Sequence, residues 1–208
     1  MLNTPQLMIH NLSFARNYRY FFKDLDVQLN SGEILQIQGE NGSGKSTLLR
    51  ILAGLIEPEE GSVCWENQCI FKESEPYKKV VRYLADRNGL KPTLTVEENL
   101  RLGTALLSSG PLISKNNDIH SKWIPAFAGM AQHLSLGQQR RIAFARILLN
   151  PGKIWLLDEP MIGLDKKAQE WQLTLFENHL HAGGMIVIAT HQPLSLANKI
   201  KTIQLGVV

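Results

Sequence analysis

No stretch of this sequence approaches the ~20 consecutive apolar residues that a membrane-spanning helix needs. The longest apolar segments, such as Ile154–Leu157, have the length of a buried strand. The opening residues, Met1–Gln6, lack the charged-then-apolar pattern of a signal peptide. Cysteine is nearly missing. The two present, Cys64 and Cys69, form neither a disulfide framework nor a Cys-x-x-Cys motif, and are expected to be reduced thiols in a cytosolic protein. Dense Lys/Arg runs are missing too, and the net charge is only +3, which argues against a nucleic-acid partner. There is no internal repeat and no low-complexity tract. The 208 residues suit one α/β domain with room for a small insertion. If such a chain serves a membrane process, another chain must supply the membrane part.

What is present begins with Ile34–Gln38, a short apolar strand that runs into Gly39-Glu40-Asn41-Gly42-Ser43-Gly44-Lys45-Ser46-Thr47 and then into an apolar helix. Gly39–Ser46 fits G-x-x-x-x-G-K-[ST], the phosphate-binding loop. Glycines let successive N–H groups point into one concavity, and the following helix aims the positive end of its dipole at the same place. Lys45 can reach β- and γ-phosphates, and the Ser46 hydroxyl can sit on Mg²⁺. These nine residues are the candidate nucleotide contacts.

Around the loop, alternating and apolar segments predict strands over 7–14, 20–29, 62–71 (a hairpin), 80–85, 154–157, 185–189 and 200–205. Helices are expected over 45–54, 95–107, 138–149 and 167–180. Thr95 and Glu98 fit a capping box, Ile142, Ala145, Leu148 and Leu149 form one stripe, and Leu173, Phe176 and Leu180 share a face. Residues 108–132 are rich in breakers and read as loop with short helical pieces. Strands alternating with helices imply a largely parallel sheet between helix layers, and the N-terminal strands imply a second, small antiparallel sheet.

Two further constellations carry chemistry. Ile154–Leu157 ends in Asp158-Glu159-Pro160, which places Asp158 at the carboxyl edge of the sheet, where it can hold Mg²⁺. Glu159 can orient and deprotonate a water beside the γ-phosphate. The turn Leu134-Ser135-Leu136-Gly137-Gln138 opens a helix. Its free N–H groups and serine hydroxyl could hold an anion, or Ser135 could be a plain N-cap.

In this order, the motifs resemble those of ABC-type ATPases. Leu134–Gln138 resembles the LSGGQ signature, Ile162-Gly163-Leu164-Asp165 looks like the D-loop, and Ala189-Thr190-His191 looks like the switch histidine. The resemblance spans essentially the whole chain. It implies one nucleotide-binding domain over residues 1–208: a mostly parallel sheet between helices, a small N-terminal antiparallel β-subdomain and a helical insertion over about 93–149. It also implies a Mg²⁺-dependent ATPase that works as a head-to-tail homodimer. Each ATP would lie between the phosphate loop of one copy and Ser135, Gly137 and Gln138 of the other. Lys45, Glu159 and His191 would be catalytic, Ser46 and Asp158 would hold the metal, and Asp165 would bridge the copies.

The small size, the Gln-Gln-Arg-Arg run ending at Arg141 and the segments Gly89–Thr95 and Gly183–Leu194 further resemble the ATP-binding subunits of cytochrome c maturation systems. That likeness implies a separate integral membrane permease subunit as partner. It also implies a peripheral place on the cytoplasmic side of the bacterial inner membrane, and haem export as the task. Export of another cargo, and a soluble ATP switch in repair or translation, are the alternatives. The sequence departs from the family in three places. Arg87 stands where a metal-sensing glutamine is usual, and arginine cannot ligate Mg²⁺. Leu136 replaces a signature glycine. Arg16 stands in place of the adenine-stacking aromatic and could stack on the base by its guanidinium plane, with Tyr18 and Tyr20 as close alternatives. His179 and His181 are two apart and make poor metal partners, and no haem-binding motif is present.

Overall fold

The computed structural model describes residues 6–105, 123–124, 129–150, 152–191, 194, 196 and 200–206. Nine strands and five helices occur among these residues. A hairpin of β1 (Gln6–Arg16) and β2 (Arg19–Asn30) opens the chain; its turn, Asn17-Tyr18, lies in the left-handed region. Next come β3 (Ile34–Gln38) and α1 (Lys45–Leu52). A second hairpin joins β4 (Glu60–Trp65) to β5 (Gln68–Cys69) through left-handed Glu66 and Asn67. Both turns have the positive φ pair that matches the twist of paired strands. Then follow α2 (Ser74–Val80), β6 (Val81–Leu84), α3 (Val96–Ala105), α4 (Leu136–Leu149), β7 (Ile154–Asp158), α5 (Lys166–His181), β8 (Met185–Ala189) and β9 (Ile200–Gln204).

The strands form two sheets. One is antiparallel in the order β2-β1-β4-β5; the other is parallel in the order β6-β7-β8-β3-β9. The inner strands β3, β7 and β8 are buried on both faces, which explains their nearly unbroken apolar runs. Alternation still sorts the side chains. Leu35, Ile37, Ile154, Leu156, Met185 and Val187 face a core shared with α1 and the antiparallel sheet. Ile34, Trp155, Leu157, Ile186 and Ile188 face the other core, with α3, α4 and α5.

Three differences from the expectations have physical causes. Residues 74–80 form α2, so Val80 ends a helix rather than starting a strand. Two turns are too short to show a helical period, and the helix is held from outside: buried Tyr77 donates its hydroxyl to the carbonyl of Leu52 at 2.7 Å. α4 starts at Leu136, two residues early, because Ser135 and Gln138 form a reciprocal capping box at 3.2 and 2.9 Å. The α4 stripe is also wider than expected, since Ile142–Ala145 and Ile147 are all buried while Leu148 and Leu149 are half-exposed. A helix buried on most sides loses its periodic signature. Within 108–132, the described part holds a single 3₁₀ turn at Ala131–His133 and a buried Trp123 stacked on Trp171 at 4.8 Å. Residues 108–122 lie outside the described residues. The Thr95–Glu98 box is present, with the Thr95 amide donating to Glu98 at 2.8 Å.

Candidate active site

The phosphate loop leaves β3 and turns through Gly39 (φ 153°), Gly42 (φ 84°) and Gly44 (φ 98°). Gly44 is the N-cap of α1 and makes no side-chain cap, so the first N–H groups of that helix face the loop's concavity. A Cβ on Gly39 would sit 2.4 Å from Ser43 Oγ and 2.5 Å from the Leu205 carbonyl. The loop can therefore close only around glycine. Lys45 folds back over it and donates to the carbonyls of Gly39 (2.7 Å) and Glu40 (2.9 Å). Ser43 Oγ is buried and has no partner among the described residues. Glu40, Asn41 and Gly42 are exposed at the tip, and Ser46 and Thr47 are half-buried.

A cavity of about 670 Å³ opens beside the loop, lined by Glu40, Asn41, Gly42 and Ser43 and, across from them, Arg19, Tyr20 and Phe21. Arg16 is not in this wall. It lies exposed at the end of β1, opposite Arg19, and Tyr18 is wholly exposed in the turn. Of the three side chains named for adenine stacking, the hairpin register brings Tyr20 to the cavity.

Across the loop stand the ends of β7 and β8, whose register pairs Asp158 with Ala189. Glu159 and His191 therefore leave adjacent parallel strands on the same edge. Asp158 is buried and hydrogen-bonded to Ser46. Burial pushes its carboxyl up from the ordinary range, and the charges of Asp86 and Glu159 add to this; Ser46 and Arg140 pull the other way. Its Oδ2 has no hydrogen-bond partner. An orphaned carboxylate oxygen next to a hydroxyl is a hard oxygen donor set, which suits Mg²⁺ and not a soft metal.

Glu159 adopts φ 46°, a left-handed conformation that costs a non-glycine residue roughly 1–2 kcal/mol. Its amide donates to the Ala189 carbonyl at 2.9 Å. Its Oε1 lies 3.0 Å from His191 Nδ1. The histidine is exposed and the carboxylate mostly sheltered, so the ring fixes the direction in which the carboxylate faces.

The signature turn lies elsewhere. Ser135 and Leu136 are exposed, and residues 135–138, like Asp158, Glu159 and His191, do not line the cavity beside the phosphate loop. Gly137 packs on the loop between β7 and α5 so closely that a Cβ would lie 2.1 Å from the Gly163 carbonyl. In this loop Asp165 caps α5, accepting from the Ala168 amide at 2.8 Å. Two arginines take places that only tertiary structure sets. Arg140 is fully buried between α4 and the strand ends. Exposed Arg87 lines a second cavity of about 730 Å³ between the loop after β6, α2, α3 and α4. A single arginine in a helix offers no local signal of burial.

Comparison with known proteins gives a consistent picture. The family described as ABC transporter matches residues 22–162. The cytochrome c biogenesis ATP-binding export protein CcmA of Haemophilus influenzae is 38% identical over 199 residues, covering 92% of each chain. Its namesake from Nitrosococcus oceani is 37% identical, over 93% of this chain and 89% of that one. Among solved structures, a dimeric post-hydrolysis state of the ATP-binding cassette MJ0796, bound to ADP and phosphate, superimposes with a TM-score of 0.78. It is 27% identical, over 89% of this chain and 88% of that one.

Proposed function

Because this chain belongs to the ABC transporter family as an ATP-binding, ATP-hydrolysing subunit, we propose that it energises haem export in cytochrome c biogenesis, through a membrane permease that is a separate chain. We read residues 1–208 as one nucleotide-binding domain with its helical insertion over about 93–149. The observation that carries the mechanism is the division of the site. Ser46 of the phosphate loop meets Asp158, and Glu159 beside it meets His191, all in one chain, while Ser135, Gly137 and Gln138 lie on a turn packed against the loop between β7 and α5, with Ser135 exposed.

ATP enters with its phosphates in the loop Gly39–Thr47 and its base toward the β1–β2 hairpin, where Tyr20 stands in the wall. Lys45 exchanges the carbonyls of Gly39 and Glu40 for phosphate oxygens, its Nζ already poised over the loop. Ser46 and Asp158 are the residues that would hold Mg²⁺, which neutralises charge on the β- and γ-phosphates when bound. Glu159 accepts the proton of the attacking water; the water oxygen bonds to the γ-phosphorus and the bond to the bridging oxygen of ADP breaks. His191 holds the Glu159 carboxylate in line. The missing side of the γ-phosphate is supplied by the capped N-terminus of α4 from a second copy, arranged head to tail. MJ0796 is solved as a dimer of cassettes, which supports the pairing of two copies.

The names of the relatives support a role in export during cytochrome c biogenesis. Among the described residues no helix is long and apolar enough to cross a membrane, which fits a peripheral subunit on the cytoplasmic face of the inner membrane. The groove containing Arg87 is the surface we assign to the permease. Deleting the gene and measuring covalently haem-stained cytochromes c tests the whole proposal. Loss should be restored by the wild-type chain and not by Lys45→Ala. Normal cytochromes c in the deletion strain would assign the ATPase to another cargo.

A further inference from the structure

Arg140 has no role in the mechanism above, yet it is fully buried. Its acceptors among the described residues are four backbone carbonyls and one side-chain amide. Nη1 donates to the carbonyls of Ala85 (2.7 Å) and Asp86 (3.3 Å) and to Asn88 Oδ1 (3.0 Å). Nη2 donates to the carbonyls of Asp158 and, at 3.0 Å, Glu159. No carboxylate oxygen hydrogen-bonds to it among the described residues, and its Nε is unpartnered. Burying a guanidinium without a contacting counterion is costly, so packing alone does not account for it.

The arrangement of the acceptors supplies a reason. One nitrogen holds the loop after β6, in which Ala85, Asn88 and Arg87 line the second cavity. The other nitrogen holds the backbone that carries the metal carboxylate and the base. The guanidinium is a rigid plane, so it cannot let one side move while keeping its bonds to the other. Glu159 is also in a strained left-handed conformation, held at its amide by Ala189 and at its carbonyl by Arg140. Strain of this kind persists only where the surroundings over-determine it.

We propose that Arg140 is a positioning residue that ties the loop lining the second cavity to the backbone of Asp158 and Glu159, so that occupation of that cavity changes the aim of the base. The link does not pass through a glutamine after β6. Arg87 occupies that place and is exposed, whereas Arg140 reaches the same loop from α4.

The inference rests on Glu159 being the base, and two measurements keep the two apart. The first is a double-mutant cycle in kcat on the full chain with ATP and Mg²⁺. Arg140→Lys keeps the charge but cannot span both sets of carbonyls. We expect kcat to fall about tenfold or more with little change in KM, since displacing a reacting group by ~1 Å costs up to 10²-fold. If Arg140 acts through Glu159, the double variant Arg140→Lys/Glu159→Gln is no slower than Glu159→Gln. Multiplied effects would overturn the proposal, and a role limited to folding would lower thermal stability without this dependence. The second needs no turnover. Asn88→Ala removes one acceptor at the far end, and amide hydrogen exchange should rise in residues 159–164 as well as in 85–90. A rise confined to 85–90 would overturn the link whether or not the protein hydrolyses ATP.

Discussion

Replacing Glu159 with glutamine isolates one atom's chemistry. The amide has the volume of the carboxylate and keeps an oxygen that can accept from His191 Nδ1, now 3.0 Å away. It leaves the Glu159 backbone bonds to Ala189 and Arg140 untouched, along with Lys45, Ser46 and Asp158. What it removes is a proton acceptor. A positioned general base contributes about 10²–10⁴-fold, and with each tenfold equal to about 1.36 kcal/mol the barrier should rise by about 2.7–5.4 kcal/mol. Because no contact to the loop is lost, KM for ATP should stay within about threefold, a margin equal to roughly 0.6 kcal/mol. The assay is phosphate release at saturating ATP and Mg²⁺, beside nucleotide titration and size-exclusion chromatography. ATP bound but not cleaved should collect the variant as a dimer, provided the second copy closes the site. Turnover within a few-fold of wild type would refute Glu159 as the base. A loss entirely in KM would show that it binds rather than reacts.

Asp158→Asn should abolish Mg²⁺-dependent turnover yet raise the melting temperature of the nucleotide-free protein, because burial disfavours the charge that the substitution removes. For a chain of this length a gain of about 1 kcal/mol appears as a rise of roughly 2–4 °C in calorimetry, and an unchanged or lower Tm would contradict the account. Gly137→Ala puts a Cβ against the Gly163 carbonyl, a backbone atom that cannot swing away. We expect a cost of about 1–3 kcal/mol in urea unfolding and loss of ATP-dependent dimerisation. His179 stacks on Trp155 at 3.8 Å, and burial pushes its pKa down to about 4, against weaker upward pulls from backbone hydrogen bonds with Met185 and Lys153. The fold therefore favours the neutral ring. The contribution is complete above the unfolded value near 6.5 and is lost as pH falls toward 4, up to about 3 kcal/mol at 1.36 kcal/mol per unit. Comparing the pH dependence of urea midpoints for wild type and His179→Phe measures it, and parallel curves would refute it.

The sequence alone determined the features that depend on neighbours within a few residues. The glycine-rich loop, the apolar strand ending in Asp158-Glu159 and the Thr95–Glu98 cap each need only local backbone geometry and a period of 2 or 3.6, so they could be read directly. The order of elements implied the parallel sheet and the antiparallel hairpins for the same reason. Tertiary structure decided what depends on partners far along the chain. The register of β7 against β8 brings Glu159 to His191, 32 residues away. The register of the first hairpin brings Tyr20 to the cavity and leaves Arg16 outside it. Tyr77 makes a helix of α2 by bonding Leu52. Arg140 is buried because α4 packs on the sheet and encloses it among carbonyls 18 to 55 residues distant. Local motifs carry their own geometry; burial and long-range hydrogen bonds exist only once the layers have closed on one another.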